Sequence, residues 1–370
     1  MAWRVIIAAG GTGGHVFPAL AIGEEIRAQK PETEILFIGT NRGLEERVIP
    51  AAGFRLKTIV MSGVQRSLHP RDVLRNLVMP FKVLFGLLQS ITVMWTFRPH
   101  AVIGCGGYVT GPIVLLAALL GKKIILQEQN SRPGRTTRSL ARWADAIHLT
   151  YEDAQRFFDP KCKLMMSGNP LRKGFVRQDM AAARAALGLA SERNTLLVLG
   201  GSLGARAVNA ALLKIMDTLL QDDNIQVLWQ TGKPDYENVR YTMKPYSQVQ
   251  VHAFIDNMIA AYSAADTVLC RAGAMTLSEI TMMGLPAVLV PYPFAADNHQ
   301  EYNARSLSDR GAAMTLLQTD LNEQLLPALR KMMQDQAYRR AMAEASYALR
   351  QPDAAQNIVR HMFSLEGVRA

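Results

Sequence analysis

The sequence predicts an α/β protein built from two doubly wound parallel sheets, one in each half of the chain. Short apolar runs alternate with helical stretches along the chain, which is typical of parallel strands joined by crossover helices. Each half also opens on the same unit, a strand followed by a glycine turn and a helix. The length of 370 residues suits about two domains of ordinary size.

Twelve strands are predicted from the apolar runs. The predicted strands cover residues 4–9, 35–39, 56–60, 101–104, 123–126, 146–149 and 163–166 in the first half, and 195–199, 225–230, 249–252, 267–269 and 287–290 in the second. Residues 169–172 are interpreted as the crossover between the halves. Helices are expected across residues 321–350 and over 353–365, and we expect the last one to pack back onto the first domain.

The first glycine turn, residues 10–14, follows the first strand and leads into a helix in which we expect Pro18 in the first turn. The N–H groups and the dipole of such a helix start favour an anionic or polar ligand. The dinucleotide-binding fingerprint fits poorly, because Val16 stands at its last glycine position and no acidic residue follows the second strand. A tight turn with a capping residue is the other interpretation. On the first interpretation, the turn presents His15 at the start of the helix.

A second glycine turn, residues 104–107, also lies between an apolar strand and an apolar helix. The strand after it ends in a polar run that includes Gln127, Glu128 and Asn130. Ligands of doubly wound sheets gather at the carboxyl ends of the strands. We therefore expect these polar side chains to line a cleft.

The balance of charge points to an acidic partner. Lys and Arg number 41 against 31 Asp and Glu, a formal net charge of +10. Nucleic acid, anionic lipid and a phosphorylated substrate all fit this surplus. The three cysteines have no metal-ligand spacing and fit a reducing compartment. The apolar N-terminus is too short for a signal peptide, so we expect a cytoplasmic protein.

Residues 76–97 form an unusually apolar stretch, roughly the 20 residues needed to span a bilayer. Pro80 and Lys82 inside it argue against spanning. An apolar helix lying on an anionic membrane is one interpretation, and a core helix with a basic solvent face is the other. The basic residues that accompany the stretch are Arg66, Arg71, Arg75 and Lys82.

The second half carries a third glycine turn, residues 200–204, and a sharper signal from 270 to 279. That segment runs from a strand end into a helix and places Glu279 about one turn inside. The carboxylate of Glu279 either complements the helix dipole or accepts both hydroxyls of a ribose. A proline-framed loop then ends in His299 and Gln300, with Asn303 on the same helical face.

Together, the three glycine turns and the signature at 271–279 and 300–303 resemble the MurG type of family 28 glycosyltransferase. The resemblance covers nearly the whole chain. It implies the GT-B fold, two Rossmann-like doubly wound domains that face a central cleft. Residues 1–170 would form an acceptor-binding, membrane-associating domain on which helix 353–370 packs back, and residues 171–352 the UDP-GlcNAc-binding domain.

The activity that the resemblance implies is inverting transfer of N-acetylglucosamine (GlcNAc) from UDP-GlcNAc to the C4 hydroxyl of lipid I, MurNAc-(pentapeptide)-pyrophosphoryl-undecaprenol. The product would be lipid II of peptidoglycan synthesis. The first glycine turn would face the sugar and pyrophosphate, with Asn130 and Gln300 on the sugar, the helix start at 274–276 on the pyrophosphate and Glu279 on the ribose. The full substrate-binding set implied is Thr12, Gly13, Gly14, Asn130, Arg172, Ser202, Ile255, Ala274, Met275, Thr276, Leu277, Ser278, Glu279 and Gln300.

On the nucleotide side, Arg172 and the backbone of Ile255 would read the uracil, and Ser202 would hold a phosphate. Two positions depart from the family pattern. Gln127 stands where the family has His, and Leu203 stands where the family has Gln in the third glycine turn. An essential side chain at either position would put activity in doubt, although neither departure touches the donor signature.

The catalytic residues expected are His15 and Glu128, with His15 as the base. A helix N-terminus disfavours imidazolium, so the His15 ring stays neutral and can accept a proton. Glu128 is the alternative base or an orienting group, and His299 is expected on the donor sugar. No Asp-x-Asp occurs in the sequence, so we expect helix-start amides to stabilise the leaving pyrophosphate without a metal or a cofactor.

The partners expected are UDP-GlcNAc, lipid I and an anionic membrane surface, with no nucleic acid, and cell-wall synthesis or division proteins as further partners. The expected location is peripheral, on the cytoplasmic face of the inner membrane. A UDP-sugar 2-epimerase and another GT-B enzyme with a lipid acceptor are the alternative functions. A nucleotide-binding module without turnover would bind the UDP-sugar unchanged, and an NAD-linked oxidoreductase is disfavoured by the first glycine turn.

Overall fold

The residues that the computed structural model describes are 2–41, 43–61, 70–201 and 204–365, with the backbone alone for residues 70–78. The chain divides into two compact units, each with its own parallel sheet. Unit 1 comprises Met1–Lys173 and Asp353–Ala370, and unit 2 comprises Gly174–Pro352. The expected α/β fold with two doubly wound parallel sheets is confirmed.

The sheet of unit 1 has seven parallel strands. They are β1 Arg4–Ala8, β2 Glu34–Gly39, β3 Arg55–Thr58, β4 Ala101–Gly104, β5 Lys123–Glu128, β6 Ala146–Leu149 and β7 Leu164–Met166. The order across the sheet is β3-β2-β1-β4-β5-β6-β7. This order reverses between β1 and β4, which is the switch point where doubly wound sheets bind ligands. The helices that accompany these strands are α1 Gly13–Gln29, α2 Glu45–Ala51, α3 Pro70–Phe97, α4 Thr110–Leu119 and α5 Arg135–Leu140.

The sheet of unit 2 has six strands in the order β10-β9-β8-β11-β12-β13, again all parallel, with its switch point between β8 and β11. Its strands are β8 Asn194–Leu199, β9 Ile225–Gln230, β10 Val249–His252, β11 Thr267–Cys270, β12 Ala287–Leu289 and β13 Met314–Thr315. Its helices are α6 Met180–Ala186, α7 Arg206–Leu219, α8 Tyr236–Met243, α9 Met258–Ala264, α10 Ala274–Met283, α11 His299–Ser308, α12 Leu321–Gln334 and α13 Gln336–Ala348.

The central strand β1 is buried on both faces, which explains why its sequence is a continuous apolar run. Val5 and Ile7 lie in the core on one side of the sheet, while Ile6 and Ala8 lie in the core on the other side. Helices cover both faces of a parallel sheet, so both sets of side chains are removed from water. At about 25 cal/mol per Å² of apolar area, this double burial stabilises the centre of the unit.

The last helix, α14 Ala354–Ser364, belongs to unit 1 although it follows unit 2 in the chain. It packs against α1. Its residues Ile358, Val359 and Met362 are fully buried in the same core as Val5 and Ile7. Unit 1 is therefore completed only when the end of the chain returns to it.

All twelve predicted strands are present, with ends that differ by at most two residues. Three details differ from the expectations. Strand β5 continues through Gln127 and Glu128, which pair with His148 and Leu149 of β6 instead of starting a loop. The two-residue strand β13 was not predicted, because its sequence is too short for an alternating pattern.

The third difference concerns the start of α1. The helix begins at Gly13, so Pro18 lies inside it and not in its first turn. A proline ring crowds the carbonyl four residues earlier, and here that residue is Gly14. The earlier start makes His15 the third residue of the helix.

Helix α3 has a buried end and an exposed apolar face. Val93, Met94 and Phe97 are buried in the core of unit 1. The exposed apolar side chains of the helix are Phe81, Val83, Leu84, Phe85, Leu88 and Trp95, with Phe81 exposed by 74%. Among the described residues, 79–97 is the one helix whose length and apolar composition would allow it to cross a membrane, and 28% of that segment is buried.

Candidate active site

The two glycine turns of unit 1 pack directly against each other at its switch point. A Cβ on Gly107 would lie 2.4 Å from the carbonyl oxygen of Gly10, and a Cβ on Gly106 would lie 2.6 Å from the ring of His15. Both residues also have positive φ angles, +83° and +102°, which side chains rarely tolerate. The second turn thus holds the first turn and its histidine in place.

His15 is held in one tautomer by the first glycine turn. Its Nδ1 lies 3.1 Å from the carbonyl oxygen of Gly10. A carbonyl can only accept, so Nδ1 carries the proton and the neutral ring has its lone pair on Nε2. This is the arrangement that a general base requires, and the backbone carbonyl of Gly10 supplies it.

The start of α1 presents backbone groups from the first glycine turn. The first helical bonds run from His15 N–H and Val16 N–H to the carbonyl of Thr12. The N–H groups of Gly13 and Gly14 precede these bonds, and Thr12 makes no side-chain cap. This end of the helix therefore directs N–H groups and a positive partial charge outward, as the sequence predicts.

A residue that the sequence does not single out lies beneath this turn. Glu45, the first residue of α2, is fully buried. Its Oε1 accepts hydrogen bonds from Gly11 N–H at 3.3 Å, from Thr40 N–H at 2.9 Å and from the Thr40 hydroxyl at 2.7 Å. The carboxylate thus joins the loop after β2 to the glycine turn after β1.

Glu128 has both carboxylate oxygens engaged by backbone and amide groups. Its Oε1 accepts from Asn130 N–H at 3.0 Å and from Asn130 Nδ2 at 3.2 Å, and its Oε2 accepts from Gly134 N–H at 3.1 Å. The side chain is only 2% exposed. This geometry favours the orienting role among the alternatives for Glu128, because the carboxylate holds the Asn130 amide and the loop that carries it.

Gln127, the departure from the family pattern, is a buried structural residue. It is fully buried in β5, and its amide donates to Asn169 Oδ1 at 3.4 Å. Its Oε1 accepts a hydrogen bond from Gln129, which also donates to the Cys105 carbonyl at 2.7 Å. The series of amides links β5 to the second glycine turn. Arg172 lies exposed a few residues beyond Asn169.

In unit 2, the start of α10 presents an uncapped helix N-terminus. The first helical bond runs from Leu277 N–H to the Gly273 carbonyl at 3.0 Å, so the N–H groups of Ala274, Met275 and Thr276 precede it. Gly273 supplies no side-chain cap. The fully buried side chain of Leu277 anchors the turn. Such a helix start suits the negative charge of a pyrophosphate.

Ser278 and Glu279 occupy the second turn of α10. The Ser278 hydroxyl donates to the Ala274 carbonyl at 2.9 Å, within the helix. The half-buried carboxylate of Glu279 accepts a hydrogen bond from the Tyr262 hydroxyl at 2.8 Å. Because Tyr262 is itself only 1% exposed, it fixes the orientation of the Glu279 carboxylate. Sequence reasoning missed Tyr262, since nothing in its local sequence indicates this contact.

The Ile255 backbone is fixed from the neighbouring strand. Its N–H donates to the Gln230 side chain at 2.9 Å, and its side chain is buried. The N–H of Ile255 is thus engaged by the Gln230 side chain. Ser202 and Leu203 lie outside the described residues.

The loop after β12 is braced from several sides. Gln300 accepts a hydrogen bond from Tyr292 N–H at 3.0 Å, and the buried Asn303 donates to the Ala272 carbonyl at 3.2 Å. Nδ1 of His299 lies 2.8 Å from the Ala296 carbonyl. Asp297 and Asn298 in this loop have positive φ angles of 51° and 57°. Such a strained conformation is of the kind found at functional sites.

Arg271 holds this loop rather than facing outward. Its guanidinium donates to the carbonyls of Val290 and Pro291, each at 3.2 Å, and to Gln318 at 2.7 Å. Partial burial lowers the pKa of Arg271. Within the described part of the chain, no group of three or more His, Cys, Asp or Glu residues is placed to hold a metal ion.

Two all-parallel sheets, each with a glycine turn and a helix start beside its switch point, match the GT-B class of fold. Residues 5–149 match the glycosyltransferase family 28 N-terminal domain, and residues 195–358 match the glycosyltransferase family 28 C-terminal domain. The chain belongs to glycosyltransferase family 28, in its MurG group.

Similar proteins share nearly the full length. A Salinibacter ruber protein named UDP-N-acetylglucosamine–N-acetylmuramyl-(pentapeptide) pyrophosphoryl-undecaprenol N-acetylglucosamine transferase is 42% identical, over 98% of this chain and 96% of its own. A Desulforudis audaxviator protein of the same name is 40% identical, over 98% and 99%. The crystal structure of Acinetobacter baumannii MurG is 30% identical with a TM-score of 0.76, over 98% and 99%.

A UDP-N-acetylglucosamine 2-epimerase structure also matches, over 100% of this chain and 98% of its own, with a TM-score of 0.64. Its sequence identity is only 12%. At that identity the likeness shows the fold alone. The relatives that share both fold and sequence carry the transferase name.

Proposed function

We propose that this chain transfers GlcNAc from UDP-GlcNAc to the C4 hydroxyl of lipid I, with inversion at the anomeric carbon, and so forms lipid II. The observation that carries the proposal is near-full-length identity of about 40% to transferases of that name. The helix start and oriented carboxylate of unit 2 supply the chemistry that a nucleotide-sugar donor needs. Unit 1 would bind the acceptor, and unit 2 would bind the donor.

The donor's pyrophosphate would lie at the start of α10. Charge develops on this group as UDP leaves, and fixed N–H groups stabilise such charge without reorganising. Ala274, Met275 and Thr276 present those groups. Arg172 and the Ile255 backbone would contact the uracil, and Ser202 would hold a phosphate.

The ribose and the sugar would be held by side chains whose orientation is already fixed. Glu279, oriented by Tyr262, would accept hydrogen bonds from both ribose hydroxyls. Gln300 and Asn130 would contact the sugar hydroxyls, and Glu128 would orient Asn130. Each of these groups is braced by a neighbour, which limits the entropy lost when the donor binds.

The transfer would be a single displacement with His15 as the base. The acceptor oxygen forms a bond to the anomeric carbon, while the bond from that carbon to the β-phosphate oxygen breaks. UDP leaves with the electron pair, and the hydroxyl proton goes to His15 Nε2. The geometry supports this role, because the bond from Nδ1 to Gly10 leaves the lone pair on Nε2. Thr12, Gly13 and Gly14 would face the sugar and pyrophosphate.

We further propose that the exposed face of α3 rests on an anionic membrane. Phe81, Leu84, Phe85 and Leu88 recur at helical spacing and are each more than half exposed. An exposed row of this kind supports the membrane interpretation over that of a core helix. Lys82 is half-buried beside this row. Arg66 lies outside the described residues, and the side chains of Arg71, Arg75 and Val78 are likewise not described.

This surface would keep the enzyme peripheral on the cytoplasmic face of the inner membrane, where an undecaprenyl-linked acceptor resides. The net charge of +10 adds attraction to anionic lipid. Proteins of cell-wall synthesis or division would be further partners at the same membrane.

The deciding experiment incubates the protein with labelled UDP-GlcNAc and lipid I in vesicles and analyses the lipid fraction. We expect labelled lipid II and release of UDP only when lipid I is present, with or without a chelator. Conversion of UDP-GlcNAc without lipid I, to a 2-epimer, would favour the epimerase alternative. Tight UDP binding without any product would favour a binding module.

A further inference from the structure

Glu45, the Gly10–Gly11 peptide group and His15 form one hydrogen-bonded series. Gly11 N–H donates to Glu45 Oε1 at 3.3 Å, and His15 Nδ1 donates to the Gly10 carbonyl at 3.1 Å. The Gly10 carbonyl and the Gly11 N–H belong to the same planar amide. The carboxylate and the imidazole therefore bind opposite ends of one peptide group.

The surroundings of Glu45 are built from glycines that leave room for its side chain. A Cβ on Gly10 would lie 2.9 Å from Glu45 Oε1, and a Cβ on Gly39 would lie 2.6 Å from its Cγ. A Cβ on Gly43 would come within 1.9 Å of Oε2. Three separate glycines thus admit a carboxylate that larger residues would exclude.

This arrangement is costly if its only purpose is stability. Glu45 is fully buried, and its Oε2 has no hydrogen-bond partner among the described residues. No cation is paired with it in the described salt bridges. A buried charge with half of its acceptors unmet destabilises a fold, so a role at the site explains its presence better than a role in packing.

The physical effect of the series runs from the carboxylate to the imidazole. A negative charge on the N–H side of an amide polarises the group and makes its carbonyl a stronger acceptor. The stronger carbonyl holds the His15 Nδ1 proton more firmly and stabilises the ring when Nε2 gains a second proton. Carboxylate–imidazole pairs in hydrolases obtain the same effect by direct contact.

We propose that Glu45 is a positioning residue for His15, and that it acts through the Gly10–Gly11 peptide group. The inference rests on the proposed role of His15 as the base. It adds a third member to the site, one that touches no substrate. A loop tether with no influence on the histidine is the alternative.

The test compares Glu45→Gln with Glu46→Gln, a matched change at the exposed neighbouring residue. Glutamine keeps an acceptor for Gly11 N–H and Thr40 but removes the charge. We expect Glu45→Gln to lower kcat roughly 10–100-fold, by analogy with the loss caused when the hydrogen-bond partner of a metal-bound histidine is removed. The acid limb of its pH–rate profile should move to lower pH, while KM for UDP-GlcNAc and UDP affinity stay unchanged. Glu46→Gln should match the wild type.

A double-mutant cycle with His15→Ala separates the possible failures. If Glu45 acts through His15, adding Glu45→Gln to His15→Ala should cause no further loss of kcat. A Glu45→Gln variant with wild-type kcat and an unmoved acid limb would overturn the inference, as would a loss fully explained by a reduced folded fraction. Normal turnover by His15→Ala would remove the base assignment itself, and a wild-type enzyme that makes no lipid II would remove the proposed function.

Discussion

Helix α1 in unit 1 and helix α10 in unit 2 both begin beside a switch point, and both present N–H groups that precede the first helical bond. The carboxylate near each of these helix starts has different surroundings. In unit 1, Glu45 is fully buried, and within the described part of the chain its carboxylate accepts hydrogen bonds from Gly11 N–H and from the N–H and hydroxyl of Thr40. In unit 2, Glu279 is half-buried on the helix itself and is oriented by Tyr262. One helix start thus holds a histidine, while the other combines N–H groups that precede the first helical bond with a half-buried carboxylate.

The crossover from the third to the fourth strand differs as strongly. In unit 1 this connection is α3, of 28 residues, with an exposed apolar face. In unit 2 it is α9, of 7 residues, and Ala260 through Ala264 are all buried. The same topology therefore gives unit 1 a long crossover helix with an exposed apolar face and unit 2 a short, buried crossover helix. These differences suggest that acceptor chemistry belongs to unit 1 and donor chemistry to unit 2.

The largest effect expected is that of His15→Ala. Loss of a general base costs about 10²–10⁴ in turnover, and the acid limb of the pH–rate profile should disappear. UDP affinity should be unchanged, because His15 lies in unit 1, the unit proposed to bind the acceptor. Steady-state kinetics and calorimetric titration with UDP provide the two measurements. Near-normal turnover would contradict the assignment of His15 as the base. A loss of UDP binding in proportion to the loss of turnover would contradict the division of acceptor and donor roles between the units.

Glu279→Ala should weaken UDP binding, the quantity that His15→Ala leaves unchanged. Removing the charge-assisted bonds to two ribose hydroxyls should weaken UDP binding by roughly 1.5–3 kcal/mol. Tyr262→Phe, which removes only the orienting hydroxyl, should cost less, roughly 0.5–1.5 kcal/mol. Calorimetric titration with UDP measures both. Unchanged affinity in Glu279→Ala would exclude this carboxylate from the donor site.

The contrast between α3 and α9 predicts membrane binding through unit 1. Burying a phenylalanine stabilises by roughly 1.5–3 kcal/mol, so Phe81→Asp/Phe85→Asp should reduce sedimentation with anionic vesicles at least about tenfold. Added salt should weaken wild-type binding, since each basic residue near the surface contributes about 1 kcal/mol that salt screens. Tyr241→Asp, at an 82% exposed position of unit 2, is the matched control. If the wild-type protein does not bind anionic vesicles and the double variant unfolds, the proposed membrane role of this surface is wrong.

A smaller, pH-dependent effect should arise where α14 docks on unit 1. Lys163 Nζ lies 3.1 Å from His361 Nε2, His361 Nδ1 lies 3.0 Å from His148 Nε2, and His148 Nδ1 lies 2.7 Å from the Ser167 hydroxyl. With Lys163 donating, both imidazoles must be neutral for every bond to form. Burial, with His361 and Lys163 nearby, lowers the pKa of His148 to about 3 from 6.5.

The sign of the effect follows from that lowered pKa. As pH falls below 6.5, the unfolded chain takes up a proton that folded unit 1 accepts only near pH 3, so stability is lost at up to about 1.4 kcal/mol per pH unit. Urea unfolding at pH 7.5 and 5.5 should therefore show a lower midpoint at pH 5.5. His148→Gln should reduce this pH dependence even though it lowers stability overall. An equal pH dependence in the variant would show that this histidine is not responsible.

Much of the fold and part of the site could be predicted because their signals are local. Apolar runs buried on both sides of a sheet, such as residues 5–8, identify strands without knowledge of their neighbours. A glycine with positive φ marks a turn by its own conformational freedom, as Gly11 does at +93°. The position of Glu279 in the second turn of its helix was predictable, because the helix start and this residue are close in sequence.

The sequence by itself therefore determined the order of strands and helices, the positions of the glycine turns and the candidate residues on them. The tertiary structure alone decided which side chains from other parts of the chain contact those turns. Gly11 and Glu45 are 34 residues apart, and they meet only because β1 and β2 pair in parallel and bring their carboxyl ends together. Tyr262 on α9 meets Glu279 on α10 through helix packing, and Gln127 is buried in β5, which pairs with β6. Contacts of this kind depend on strand pairing and helix packing, which local hydrophobic periodicity does not encode.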